Sequence, residues 1–194
     1  MGGEMTTSLL SLHDSIRSVL VAARTQVRQM VNSAMVQAYW QIGRLIVEDE
    51  QGGLARAEYG KQVLEDLSRR LTEEFGKGFT PHNLRNFRQF YLTFPESEIC
   101  YALRSELTWT HYRILMRVER PEARHWYLQE AVSQGWSVRA LERQINTLFY
   151  ERLLSSQNQA GLHMEAASRI AEEVPVDPRD FIRDPYVLEF LGAR

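Results

Sequence analysis

The stretch from Phe79 to Phe94 contains the side chains with the clearest potential for chemistry. Arginine, asparagine and glutamine hydrogen-bond DNA phosphates and base edges, often through two atoms at once. On a helix, positions 82, 85/86 and 89 lie about one turn apart, so their tips can follow a groove. The candidate nucleic-acid-binding residues of this stretch are His82, Asn83, Arg85, Asn86, Arg88 and Gln89.

A capped helix is predicted to carry these side chains. Thr80 can cap the first turn with its hydroxyl, and Pro81 fits the first helical position because its missing N–H is not needed there. An apolar stripe recurs at helical spacing on the other side and consists of Leu84, Phe87, Tyr91 and Phe94. We therefore expect Phe87 and Tyr91 to be buried and Arg85 to be exposed.

A second amphipathic helix and a glycine-containing turn precede this helix. Between Tyr59 and Phe75 one face is apolar and carries Val63, Leu64, Leu67, Leu71 and Phe75. Gly76-Lys77-Gly78 then supplies a helix stop and a short turn. Helix, turn and capped helix in this order predict a helix-turn-helix whose second helix can enter a major groove. An ordinary helical hairpin with a solvated polar face would show the same pattern.

A further capped helix begins after Ser137 and presents more arginine. Arg139 and Arg143 share one face of it and are predicted to meet phosphate. The opposite, buried stripe is predicted to contain Leu141, Ile145, Leu148 and Phe149.

The N-terminal region from Ser8 to Glu50 is helical in pattern throughout. A helix of that length would reach roughly 60 Å, which a single domain of this size seldom buries alone. Its apolar spacing of four and three resembles a heptad seam and favours packing against a partner helix in a homodimer. The alternative is a helix that breaks near Gly43 and folds back on its own domain. The seam residues are Leu12, Ile16, Leu20, Ala23, Val27, Met30 and Ala34, followed by Ile42 and Ile46.

Composition narrows the class of protein. The 194 residues have a formal net charge of −2, which argues against a strong non-specific polyanion binder. Only Lys61 and Lys77 are lysines, so 23 − 2 = 21 basic residues are arginines, the type suited to bidentate phosphate and guanine contacts and to protein ion pairs. Cys100 is the only cysteine and there is no long apolar run or signal peptide. We therefore expect a cytoplasmic protein without a membrane partner.

The sequence has no pattern typical of an active site or a cofactor site. Its 5 histidines are scattered without a close ligand pair, and the acidic pairs have no lysine in the arrangement that a metal-dependent nuclease needs. No glycine-rich phosphate loop follows a strand pattern. We therefore expect no catalytic residue, metal, cofactor or small-molecule substrate in this chain.

Three regions are predicted along the chain. A helical domain covers residues 8–153, a linker covers 154–180, and residues 181–194 begin a new module. Within the first region, Ile99, Tyr101 and Leu103 alternate between Glu96 and Ser105, which would accommodate a minor β-wing.

An ordered set of motifs resembles the N-terminal region of YhcG-like bacterial proteins over roughly Ser11 to Leu191. These motifs are Tyr39-Trp40-Gln41-Ile42-Gly43, Tyr59-Gly60, Phe79-Thr80 through Phe90, Trp109-Thr110-His111-Tyr112, Trp136-Ser137-Val138-Arg139 and Asp184-Pro185-Tyr186-Val187-Leu188-Glu189-Phe190-Leu191. In that family a helical, winged-helix-like, DNA-binding region precedes a PDDEXK-type nuclease domain. The resemblance implies that the Asp184–Leu191 segment leads into the nuclease, whose carboxylates and lysine we expect to be absent here.

The sequence thus predicts an all-α, helix-turn-helix-like domain with a long N-terminal helix. The expected function is the DNA-binding, targeting domain of a PDDEXK-type nuclease, with double-stranded DNA as partner and a homodimer formed through the N-terminal helix. The alternative is a homodimerisation or protein-interaction module that binds no nucleic acid and uses its arginines in ion pairs between subunits.

Overall fold

The computed structural model describes residues 2–52, 57–95 and 107–156, together with residues 161, 164, 168, 186, 187 and 190. No strand occurs in this part of the chain, and the all-α prediction is confirmed. The segment predicted to accommodate a β-wing lies outside the described residues. The helices are α1 Gly2–Gly52, α2 Ala57–Phe75, a 3-10 helix Lys77–Phe79, α3 Pro81–Thr93, α4 Trp109–Leu115, α5 Pro121–Ser133, α6 Val138–Asn146 and α7 Phe149–Ser155.

Helix α1 is continuous over 51 residues, which confirms the long N-terminal helix and rules out the alternative of a break near Gly43. The glycine has a different role, because α3 crosses α1 at this point with its backbone almost in contact. A Cβ added at Gly43 would lie 2.0 Å from the carbonyl oxygen of Phe87. A glycine inside a helix costs about 1 kcal/mol relative to alanine, and here it allows the close approach of a second helix.

The contact between α1 and α3 is the aromatic centre of the fold. Tyr39 of α1 stacks on Phe87 of α3 with ring centroids 4.1 Å apart. Trp40 donates from Nε1 to the carbonyl oxygen of Phe94 over 2.9 Å. The elements α2, turn and α3 follow the predicted helix-turn-helix order, but α3 packs more extensively on α1 than on α2.

The rotation of α3 about its axis differs slightly from the prediction. Leu84, Phe87 and Phe94 are buried as expected, but Tyr91 is only half-buried and Phe90 is completely buried. The ring of Phe90 lies 5.2 Å from that of Trp109. Phe90 is absent from the predicted stripe because helical spacing selects one docking face, whereas both α1 and α4 pack against α3.

Two further apolar residues assigned to buried stripes are exposed. Phe75, the last residue of α2, is 53% exposed and only its edge meets Phe79. Leu148 is 59% exposed and adopts φ 51°, a left-handed conformation that separates α6 from α7. That break turns the chain, so the helical spacing cannot be extended from Leu141 through Leu148.

A buried histidine joins two parts of the second half of the fold. His111 accepts at Nδ1 from the backbone N–H of Thr108 over 3.0 Å and contacts the carbonyl oxygen of Trp136 through Nε2 over 3.1 Å. This arrangement caps α4 and joins it to the turn before α6. Burial lowers the pKa of His111 to about 4, so the imidazole is neutral at neutral pH.

The described residues of the C-terminal segment pack onto the helical core. Val187 is only 2% exposed, and the Phe190 ring meets the edge of Tyr39 with centroids 6.0 Å apart. Arg113 of α4 hydrogen-bonds the Tyr186 hydroxyl and its guanidinium lies 5.4 Å from the centre of that ring. The assignment of residues 181–194 to a second module stays a prediction, and these three side chains are integrated with α1 and α4.

Candidate nucleic-acid interface

The N-terminus of α3 is built as the sequence predicts. Thr80 accepts the backbone N–H of Asn83 at its hydroxyl over 3.3 Å, and Pro81 occupies the first turn. The side chain of Asn83 donates from Nδ2 to the carbonyl oxygen of Gly78 over 2.9 Å. Asn83 therefore ties α3 to the turn before it, and its amide is already used inside the protein.

A row of exposed polar side chains follows on α3. His82, Arg85 and Gln89 are all exposed, at intervals of about one helical turn. Within the described residues neither His82 nor Arg85 has a hydrogen-bond or ion-pair partner. Gln89 donates from Nε2 to the Thr93 hydroxyl over 3.0 Å, which holds its amide along the helix axis. We call His82, Arg85 and Gln89 the α3 row.

Asn86 lies beside this row and is half-buried. Its Nδ2 atom is inaccessible to solvent and has no acceptor in the part of the chain that the structure describes. A buried donor without an acceptor costs roughly 1–3 kcal/mol, so the amide would gain from an incoming acceptor or a rotation towards one.

Arg88 has a partner inside the protein. Its Nε donates to Glu50 Oε2 over 2.7 Å, and this ion pair links α3 to the end of α1. The side chains are 38% and 26% exposed, so the pair is partly protected from water. A phosphate would have to compete with Glu50 for this guanidinium. Sequence spacing could not reveal the pair because 38 residues separate its members.

Arg139 and Arg143 form a second group on α6. Arg139 is exposed and Arg143 is half-buried. Helix α6 packs against α4, α5 and α7, whereas α3 packs against α1, α2, α4 and the 3-10 helix. The α3 candidates therefore share one helix, and the α6 arginines lie on another helix that does not pack extensively against α3.

Helix α3 and the turn before it contain basic side chains and no acidic ones. Helix α3 contains Arg85 and Arg88 and no acidic residue. Lys77, which the sequence analysis did not select, is exposed in the turn directly before α3. Its position between two glycines, in a turn before a capped helix, is the sequence feature that could have identified it as a candidate. Opposing charges are present at Glu50, which pairs with Arg88, and at Glu73 and Glu74, which are exposed at the end of α2.

The described part of the chain contains neither a candidate metal site nor a candidate membrane span. No group of three or more His, Cys, Asp or Glu side chains there could hold a metal ion. Among the helices described, none has the length and apolar character needed to cross a membrane.

Comparison with known proteins gives two matches. A family model described as the DUF1016 N-terminal domain matches residues 15–152. The protein named "Putative nuclease YhcG" from Escherichia coli (strain K12) is 38% identical over 218 residues. That match covers 97% of this chain and 57% of the relative, so the chain spans little more than half the length of the nuclease. No solved structure matches the chain significantly.

Proposed function

The chain belongs to the family of the DUF1016 N-terminal domain, and from this premise we propose that it is the DNA-binding, targeting domain of a PDDEXK-type nuclease. The proposal assigns double-stranded DNA as the partner and places the protein in the cytoplasm, where DNA is accessible. Catalysis is assigned to the part of the nuclease that this chain does not match.

The observation that carries the proposal is the α3 row. Three exposed side chains that can hydrogen-bond bases or phosphates lie one turn apart on a helix free of acidic residues. The opposite side of α3 is fixed by Phe87 against Tyr39, so the row is held on a rigid support. A helix held in this way can present its first turns to a major groove.

Within this proposal the candidate residues have different roles. Arg85 has the best position for a base or phosphate contact, with His82 and Gln89 beside it. Asn83 positions the helix through its bond to Gly78. Arg88 would contact phosphate only by leaving Glu50, and Arg139 and Arg143 would meet phosphate on a separate surface.

The alternative is a homodimerisation or protein-interaction module that binds no nucleic acid. A specific observation favours it, because apolar side chains remain exposed along the N-terminal part of α1, among them Leu20, Val27 and Met30. Dimerisation by itself is compatible with DNA binding, since the α1 surface and the α3 row contain different residues, so the two proposals differ only in whether the chain binds nucleic acid.

A titration with duplex DNA at several salt concentrations distinguishes a DNA-binding domain from a module that binds no nucleic acid. Fluorescence anisotropy of a labelled duplex should show affinity falling linearly on a log–log plot against salt, because bound phosphates release counterions. Arg85→Ala should weaken binding by about 1–3 kcal/mol and relax preference at one position if Arg85 reads a base. If Arg85 meets phosphate, all sequences should weaken alike and the salt slope should fall by about one.

Arg69→Ala is the matched control, because Arg69 is an exposed arginine on α2 whose ion pair with Asp66 is a surface contact. This control should bind DNA like the parent. The DNA-binding proposal fails if the parent chain binds no duplex at low salt, or if Arg85→Ala and Arg69→Ala have equal effects.

A further inference from the structure

The first half of α1 carries a line of exposed apolar side chains. Leu20 is 52% exposed, Val27 59% and Met30 65%. The line continues further along α1, where the other side of the helix packs into the domain core and Leu45 is 59% exposed. We call this line the α1 stripe, and its exposed members are Ile16, Leu20, Ala23, Val27, Met30, Ala34 and Leu45, with the half-buried Ala38 on the same side of the helix.

The α1 stripe faces away from the domain. An α-helix has 3.6 residues per turn, so two residues about nine positions apart project to opposite sides. Met30 stands in this relation to Tyr39, and both Val27 and Leu45 stand in it to Val36. Tyr39 and Val36 are 3% and 2% exposed and point into the core. The domain's own core therefore cannot cover the stripe while α1 stays one continuous helix.

The dimensions of the stripe fit a second long helix. From Ile16 to Leu45 it extends about 44 Å at 1.5 Å per residue. Its residues are separated by four and three positions from Ile16 to Ala34, the spacing that lets two helices interlock along a seam. Only a partner helix of similar length would bury all of it.

The charges beside the stripe indicate both the partner and its direction. No acidic residue occurs between Asp14 and Glu48. Residues 14–31 of α1 contain one aspartate and three arginines, a net charge of +2, whereas residues 32–50 contain one arginine and three acidic residues, a net charge of −2. The arginine of the second half, Arg44, pairs with Glu48 within the helix over 3.6 Å. A parallel copy would place arginines beside arginines. An antiparallel copy brings the basic half of each helix towards the acidic end of the other, which is the favourable arrangement.

We propose that two copies of this chain associate through the α1 stripe as an antiparallel helix pair with twofold symmetry. Such an interface is isologous, so Ile16 of each copy would lie near Leu45 of the other and the helices would cross close to Met30. The proposal uses no residue of the α3 row, and its outcome is independent of DNA binding.

The first test measures mass. Light scattering and sedimentation at micromolar concentration should report twice the chain mass of 22.6 kDa. Leu20→Glu introduces a charge into the stripe and should raise the dissociation constant at least tenfold. Ser18→Glu is the matched control, because Ser18 is exposed on the opposite side of the same helix, and it should remain dimeric. Both variants should keep the parent's circular dichroism spectrum, since neither side chain is buried in the single copy.

The second test determines direction by disulfide formation. Cys100 is the only cysteine, so Cys100→Ser provides a background without thiols. In this background, a chain with Ile16→Cys mixed with a chain with Leu45→Cys should form disulfide dimers between positions 16 and 45 on mild oxidation. The Ile16→Cys chain alone should not form a disulfide dimer, because its two copies of that position would be roughly 40 Å apart in an antiparallel pair.

Three outcomes would overturn the proposal. A parent chain that stays monomeric at high micromolar concentration removes the second copy as the occupant of the stripe, and binding of that monomer to vesicles containing anionic lipid would identify a membrane surface instead. Efficient disulfide formation by the Ile16→Cys chain alone would show a parallel pair. A Leu20→Glu variant as dimeric as the Ser18→Glu control would place the interface elsewhere.

Discussion

Replacing Gly43 with alanine tests whether α1 and α3 are held together as closely as the geometry indicates. The new Cβ would lie 2.0 Å from the Phe87 carbonyl oxygen, 2.7 Å from its carbonyl carbon and 3.0 Å from Tyr91 Cβ. Ordinary contact begins near 3.4 Å, so the helices must separate by 3.4 − 2.0 = 1.4 Å at this point. The nearest atoms belong to the backbone and cannot rotate away as a side chain would.

The expected change in the free energy of unfolding of the Gly43→Ala variant follows from two opposing effects. Alanine stabilises a helix interior by about 1 kcal/mol relative to glycine. Forcing two packed helices apart costs about 1–3 kcal/mol for one added carbon, and the upper end applies because the Tyr39–Phe87 stack and the Trp40–Phe94 hydrogen bond both cross this contact. We therefore expect Gly43→Ala to lower the free energy of unfolding by about 2 kcal/mol.

Urea unfolding followed by circular dichroism measures this difference, and the Tm should fall by about 4–8 °C for a chain of this size. Ser18→Ala is the control, because it adds helix propensity at an exposed position of the same helix and should change stability by less than about 0.5 kcal/mol. A Gly43→Ala variant as stable as the parent would show that α1 and α3 do not approach as closely as described.

Three further predictions concern α3, the buried histidine and catalysis. Phe87→Ala should lower the free energy of unfolding in urea by about 3–5 kcal/mol because it removes a buried ring. Arg85→Ala should change that free energy by no more than about 0.5 kcal/mol. Equal losses in the two variants would contradict the assigned faces of α3. The folded-state pKa of His111 is lowered from 6.5 to about 4, so its contribution to stability is complete above pH 6.5 and is lost as the pH falls towards 4. That loss of stability should total roughly 3 kcal/mol. A His111→Asn variant should lack this part of the pH dependence. Matching curves of stability against pH for parent and variant between pH 7 and 4 would contradict the role given to His111. The purified chain should not cleave plasmid DNA with magnesium or manganese, and cleavage that survives further purification would show that the chain itself is catalytic.

The sequence determined the features that depend on neighbouring residues. Thr80 and Pro81 define the start of α3 because a cap needs only a hydroxyl and a free first turn, and both act within a few residues. The exposed row was predictable for the same reason, since His82, Arg85 and Gln89 are spaced by the period of the helix. The all-α class and the long N-terminal helix also followed from periodicity alone.

The tertiary structure decided which of the polar side chains are already engaged. Asn83 and Arg88 are polar candidates on the same helix as Arg85, but one is bonded to Gly78 and the other to Glu50. Neither partner can be inferred from helical spacing, because the first depends on the path of the turn and the second on where the end of α1 meets α3.

The same distinction explains the apolar residues. Periodicity assigned one buried face to α3 and so omitted Phe90, which is buried because α4 adds a second contact surface. It extended a stripe through Leu148, where a left-handed residue interrupts the helix. On α1 it identified a seam but extended it through Ile42 and Ile46, and the structure packs both of these residues with the core. Only the packing of Tyr39 and Val36 into the core shows that Val27 and Met30 face away from the domain, because the orientation of a helix is fixed by what packs against it.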